Sequence, residues 1–141
     1  DVSNADPQAL VVATAASQAV MQLGMPEARI ILAQAATYVA CAPKSNSAIM
    51  AIDDAMEFVK AHPDYKIPSY LQDAHYKGAA KLGHGIGYKY AHDYKNHYAR
   101  QQYLPDACKD NHFYNLSDQG YEKELQEHLT RIRRESEEDN D

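Results

Sequence analysis

Tryptophan is absent from these 141 residues, and phenylalanine and cysteine each occur only twice. A core therefore has to come from aliphatic side chains, alanine and tyrosine. Cys41 and Cys108 stand far apart and form no CxxC pair. That pattern gives no support to a disulfide framework, and a reducing cytoplasm is the expected compartment. No apolar run approaches the roughly 20 residues that a membrane-spanning helix needs, so no membrane contact is expected. Also missing is a glycine-rich phosphate cradle followed by Lys and Ser or Thr, which argues against nucleotide hydrolysis by this chain. There is no initiating Met and no leader: the chain opens on Asp1 in a polar stretch that reads as mid-protein, and a fragment of something longer is the expectation.

What is present is ordinary globular material. Hydrophobic residues make up 45% and charged residues 24%, enough for one domain that buries about two-thirds of its unfolded surface. The net charge of −6 is unevenly spread. Residues 1–61 carry three basic and six acidic groups, 62–112 seven basic and five acidic, and 113–141 four basic and nine acidic. The chain as a whole repels nucleic acid, and only its middle can bear a basic patch.

Residues 6–61 read as three helices. Asp6 is a good N-cap, Pro7 a good first residue, and Gly24 a good stop. Pro26 opens a second helix with Ile31, Ala35, Tyr38 and Ala42 at helical spacing, and Pro43 ends it. Ser45 or Asn46 caps a third, with Ile49, Ile52, Met56 and Val59 on one stripe and Asp53, Asp54, Glu57 and Lys60 on the wet side, up to Pro63. The short connections favour antiparallel neighbours. The apolar surface of the first two helices is wider than one stripe, as a central buried position or an oligomer interface requires. Residues 62–116 form a Gly- and Tyr-rich part, with a short basic helix expected over Leu71–Leu82 and a small hairpin where Tyr88 and Tyr90 alternate. A last helix is expected over about 117–134, capped by Ser117 or Asp118, with Tyr121, Leu125, Leu129 and Ile132 inward. Residues 135–141 read as a disordered acidic tail.

Gly83 to Tyr103 is the most distinctive stretch, with three glycines, five tyrosines and three histidines. Gly83, Gly85 and Gly87 permit positive φ, which argues for an ordered but non-helical surface element. Tyr88, Lys89, Tyr90, His92, Asp93, Tyr94 and Lys95 follow, and then Gln101, Gln102 and Tyr103; together with the glycines they form the candidate interaction surface. Basic residues interleaved with tyrosines suit single-stranded nucleic acid, whose bases stack on aromatic rings. They equally suit a packing loop or a protein interface, and the acidic balance of the whole chain favours that reading. His84, His92, His97 and His112 are spaced by eight, five and fifteen residues, unlike the short intervals of zinc sites. No metal, cofactor or catalytic residue is expected.

Several ordered motifs resemble one family. Gly83-x-Gly85-x-Gly87-Tyr88-Lys89-Tyr90-x-His92-Asp93-Tyr94, then Gln101-Gln102-Tyr103-Leu104-Pro105, is similar to the C-terminal domain of the RarA (or MgsA) family. These are AAA+ ATPases associated with replication and recombination, and the eukaryotic Werner-helicase-interacting protein is grouped with them. Ala5-Asp6-Pro7, Gly24-Met25-Pro26-Glu27, Ala42-Pro43-Lys44-Ser45-Asn46 and Gly120-Tyr121-Glu122 resemble the family at the right separations. Ile86 departs from it, standing where the family often has Lys. The resemblance implies an all-α fold related to the collar of clamp loaders, which assembles ATPase subunits into a ring or tetramer. It implies that ATP and Mg belong to an upstream domain, and that the parent acts on DNA at stalled forks with single-strand-binding protein as partner. A bacterial, nucleoid-associated cytoplasmic location goes with that reading. A single-stranded nucleic-acid-binding or partner-binding module is the alternative.

Overall fold

The computed structural model describes residues 1–72 and 79–138. Among them are four α-helices and six short 3-10 turns, and no strand, so the all-α expectation holds. The described residues fall into two compact units, Asp1–Asp54 with Phe113–His128 and Ala55–His112 with Leu129–Asp141.

In the first unit the helix ends follow the local chemistry. Helix α1 (Gln8–Leu23) starts where the Asp6 carboxylate accepts the Gln8 N–H at 3.0 Å, which satisfies one of the donors a helix start leaves open. Gly24 ends it at φ 70°, donating its N–H to the Val20 carbonyl. Helix α2 (Ala28–Cys41) ends before Pro43, and Lys44 Nζ donates to the carbonyls of Val39 and Ala42 in its last turn. A cation there also complements the helix dipole. Helices α1 and α2 pack on each other. Small residues are the buried ones, Ala9, Ala16, Ala28 and Ala42, and of these Ala9 and Ala42 cluster with Val2, with half-covered Val39 packed against them.

Helix α3 (Ser47–Ala61) departs from the expected antiparallel arrangement, since it does not pair along α1 or α2. Its stripe of Ile49, Ile52, Met56 and Val59 is 50–61% exposed. The helical period is legible in the sequence, but periodicity says only which residues share a face, not whether that face is covered within one chain.

A buried carboxylate locks the first unit. Glu122, in the first turn of α4 (Tyr121–Glu138), is fully buried. Its Oε2 accepts from Ser45 Oγ at 2.9 Å, Ser47 Oγ at 3.1 Å and the Ser117 N–H at 2.9 Å, and its Oε1 accepts from the Tyr114 hydroxyl at 3.0 Å. Burial by itself raises the carboxyl pKa, but the hydrogen bonds from Ser117, Ser45 and Tyr114 outweigh it and hold it at about 2. These donors are all neutral groups, and the first turn of α4 adds the favourable end of the helix dipole. Gly120 makes the approach possible. At φ +52° it lies so close to the N-terminal segment that a Cβ would sit 2.1 Å from the Ala5 carbonyl oxygen.

The last helix is displaced from its expected place. Ser117 Oγ accepts the Gln119 N–H at 3.2 Å and so shapes a turn. Gly120 then breaks the chain direction, and the helix begins at Tyr121 instead of 117. Tyr121 itself is exposed, whereas Ile132 is buried. The helix also runs on to Glu138, so 135–138 are helical where an acidic tail was expected, and 139–141 lie outside the described residues.

In the second unit, 3-10 turns at Ser69–Leu71 and Ala79–Leu82 are what the described residues show of the helix expected over Leu71–Leu82, with 73–78 outside them. The expected hairpin around Tyr88 and Tyr90 is absent. Further 3-10 turns at Ala91–Asp93 and Lys95–His97 follow instead, because positive φ at Gly83, Gly85 and Gly87 turns the chain away from extended pairing. At the end of α3, Phe58, His62 and Tyr65 stack with centroids 4.4 Å and 5.0 Å apart.

Candidate functional site

The glycine-rich turn is docked rather than loose. The Gly85 N–H donates to the Ser69 carbonyl at 2.8 Å, and the Tyr88 N–H closes the turn on the Gly85 carbonyl at 3.1 Å. Glycine is required here for its left-handed backbone, φ 71° at Gly85 and 85° at Gly87, and a Cβ on Gly87 would touch Tyr70. Tyr70 in turn donates its hydroxyl to the Gln102 carbonyl. The glycine turn is thus bonded to Ser69 and the Gln101–Tyr103 run to the adjacent Tyr70. Gln102 Nε2 donates to the Leu104 carbonyl and to Asp106, each at 2.8 Å, and the Tyr103 hydroxyl donates to the Ala99 carbonyl at 2.9 Å. Gln102 and Tyr103 therefore fasten the far end of the segment, and Gln101 beside them is half-buried.

Lys89, Asp93, Tyr94 and Lys95 line one recess of about 260 Å³, together with Tyr98, Arg100 and Ser136. The last three carry no mark in the sequence. Tyr88, Tyr90 and Tyr103 lie outside this lining and are largely exposed. The cations here are engaged. Lys89 Nζ donates to the Arg100 carbonyl at 3.2 Å, Lys95 lies 3.9 Å from Glu135, and Arg100 lies 3.4 Å from Glu137. Asn96 Nδ2 donates to the same Glu135 carboxylate at 2.9 Å. That hydrogen bond first, and the positive charge of Lys95, Arg131 and Arg134 after it, hold the Glu135 carboxyl below its ordinary value. The acidic residues expected to form a tail are the partners of the basic segment. No periodicity links residues forty positions apart, so sequence reasoning has no signal for them.

Two histidines of the segment meet. His92 Nδ1 and His97 Nδ1 are 3.2 Å apart, and the ring centroids are 4.7 Å apart. Asn96 and His97 both hold positive φ, 55° and 53°, which is uncommon outside glycine. His84 and His112 are not part of this pair. Among the described residues no three or more His, Cys, Asp or Glu gather as a metal site.

A second candidate surface is apolar. Leu10 and Met21 on α1 are 76% and 77% exposed, and Ile30 on α2 is 63% exposed. Between these helices runs an open groove floored by Ala13, Ala16, Ala35, Ala36 and Ala40 and edged by Met21 and Leu32. The α3 stripe is exposed as well. Isolated exposed hydrophobic side chains are normal, whereas contiguous apolar faces are the ones that bind. Among the described residues no helix is long and apolar enough to cross a membrane.

The comparisons with known proteins converge. Residues 1–133 match the family model described as MgsA AAA+ ATPase C terminal. An AAA domain-containing protein of Mycobacterium tuberculosis is 44% identical over 133 residues, covering 94% of this chain and 29% of that protein. Replication-associated recombination protein A of Bacillus subtilis is 48% identical over 114 residues, covering 81% of this chain and 27% of its own length. The protein of the same name from Haemophilus influenzae is 40% identical over 134 residues, covering 94% of this chain and 30% of its own. The chain thus spans less than a third of each of these relatives.

Proposed function

Because the chain belongs to the family of MgsA AAA+ ATPase C-terminal domains, we propose that it is the oligomerisation domain of a AAA+ ATPase of replication-associated recombination, joining its subunits as a tetramer. The observation that carries this reading is the uncovered apolar surface of α1, α2 and α3. Leu10, Met21, Ile30, Ile52 and Val59 are each more than half exposed, although a chain with so many alanines in its core has few large side chains to spare. Burying such side chains between copies is worth about 1.5–3 kcal/mol each when complete. Clamp-loader collars are the analogy for the assembly. ATP and Mg belong to the upstream ATPase domain of the parent, which acts on DNA at stalled forks in the bacterial cytoplasm with single-strand-binding protein as partner. Light scattering of the isolated domain at about 100 µM tests the proposal, since an interface of order 10 µM would be mostly occupied there. A tetramer is expected, and monomer alone defeats it.

The recess around Lys89, Lys95 and Arg100 supports a second reading, in which the segment binds single-stranded nucleic acid on its cations and on Tyr94 and Tyr98. Glu135 and Glu137 already offset two of those charges, which weakens it. The test is the Lys89→Ala, Lys95→Ala double variant. Under this reading affinity for single strands drops, and its salt slope flattens by about one unit for each phosphate that is no longer neutralised. Unchanged affinity and slope leave the segment a structural or protein-facing element.

A further inference from the structure

We propose that the acidic last turn of α4 is a built-in competitor for single-stranded nucleic acid: Glu135 and Glu137 hold cations of the recess, and a single strand binds by displacing them. The inference rests on the single-strand reading of that recess. Lys89, Lys95 and Arg100 line it together with Asp93. Those four leave a surplus of two positive charges, and the two glutamates cancel it. Lys95 Nζ lies 3.9 Å from Glu135, and Arg100 lies 3.4 Å from Glu137. Ser136, between the two glutamates in the chain, lines the recess itself. The helix end therefore borders the space that a phosphate would fill. Asn96 Nδ2 adds its bond to Glu135 at 2.9 Å. That bond and the nearby cations hold this carboxyl below its ordinary value, so it is charged at neutral pH.

Two features make the contact reversible. The first is exposure. The Lys95 and Arg100 side chains are 51% and 55% exposed, and ion pairs in such surroundings are weak. The second is the place of the acids on their helix. A helix C-terminus carries partial negative charge and disfavours carboxylates. The last turn of α4 nevertheless carries Glu135, Glu137 and Glu138 and no basic residue. Lys95 and Arg100 supply the opposite charge that this turn lacks. Tethering keeps the two carboxylates at high effective concentration beside the cations, so an isolated anion competes poorly. A single strand presents several phosphates at once, with Tyr94 and Tyr98 in the same lining for its bases. The device thus selects a run of phosphates over a lone one.

The test measures binding of a fluorescent oligothymidylate to the 141-residue chain at several salt concentrations. Glu135→Gln with Glu137→Gln removes the charge, while the amide oxygen at 135 still accepts from Asn96. Glutamine is as good a helix former as glutamate, so α4 should persist. This variant should bind at least about 3-fold more tightly than the parent, the scale of two exposed ion pairs. Its salt slope should steepen by about 0.7 for each carboxylate that no longer reclaims a counterion when displaced. Adding Lys95→Ala should cancel most of the gain. Asp53→Asn with Asp54→Asn makes the same change of net charge in the other unit and should bind as the parent does. Equal affinity of the Glu135, Glu137 variant and the parent, or an equal gain in the Asp53, Asp54 variant, overturns this inference and leaves the single-strand reading standing. No binding by parent and variants alike at low salt overturns both.

Discussion

Glu122 shows what one side chain does in this protein. A buried carboxylate held by neutral donors is stabilising only while it is charged, since the protonated acid cannot accept all four bonds. Its pKa is about 2, below the ordinary 4.5, so its contribution is present above about pH 4.5 and is lost as pH falls from there towards 2. Urea denaturation at a series of pH values should show this fall. Glu122→Gln should lower stability at pH 7 by about 2 kcal/mol, because an amide nitrogen then faces hydroxyl and N–H donors. The same variant should flatten the acid limb of the curve. Gly120→Ala tests the neighbouring constraint. The 2.1 Å clash with the Ala5 carbonyl and the positive φ should together cost at least about 2 kcal/mol, read as a lower denaturation midpoint.

At the scale of elements, punctuation residues carry most of what is legible in the sequence. Asp6, Gly24, Pro43, Ser45 and Pro63 each stop or start a helix by a local mechanism, and α1, α2 and α3 lie where those residues put them. The start of α4 lies later than its cap residues suggest because Ser117 caps a turn instead of the helix. The hairpin does not form because two alternating tyrosines carry too little period to outweigh three left-handed glycines. Hardest to see are the links from the Gly/Tyr segment to the end of α4, which depend on pairs such as Asn96 with Glu135. Within the candidate surface, the left-handed glycines 83, 85 and 87 are legible, whereas Arg100, Tyr98 and Ser136 are not, since nothing local distinguishes them. Glu135→Ala should remove the Asn96 hydrogen bond. Amide exchange at His97 and Tyr98 should then quicken, with α1 unaffected.

For the molecule as a whole, the uncovered apolar helices make stability a matter of concentration under the proposed assembly. A tenfold rise in protein should raise the thermal midpoint by about 2–4 °C if native copies associate. Ile52→Glu with Val59→Glu should abolish that dependence and yield monomer. Both side chains are more than half exposed in the single chain, so the helices themselves should survive, with circular dichroism unchanged. Persistence of the oligomer in this variant would move the interface to α1 and α2.

The first compact unit is made from two stretches, Asp1–Asp54 and Phe113–His128, and the Glu122 carboxylate of the second stretch is what Ser45 and Ser47 of the first are waiting for. During synthesis the early helices emerge long before their lock. At about 5–20 residues per second, the stretch between residues 54 and 122 takes roughly 3–14 s to make. Through that interval α1 and α2 lack the stretch that completes their unit. Nascent chains stalled before residue 113 should therefore be more protease-sensitive than chains extended well past residue 128.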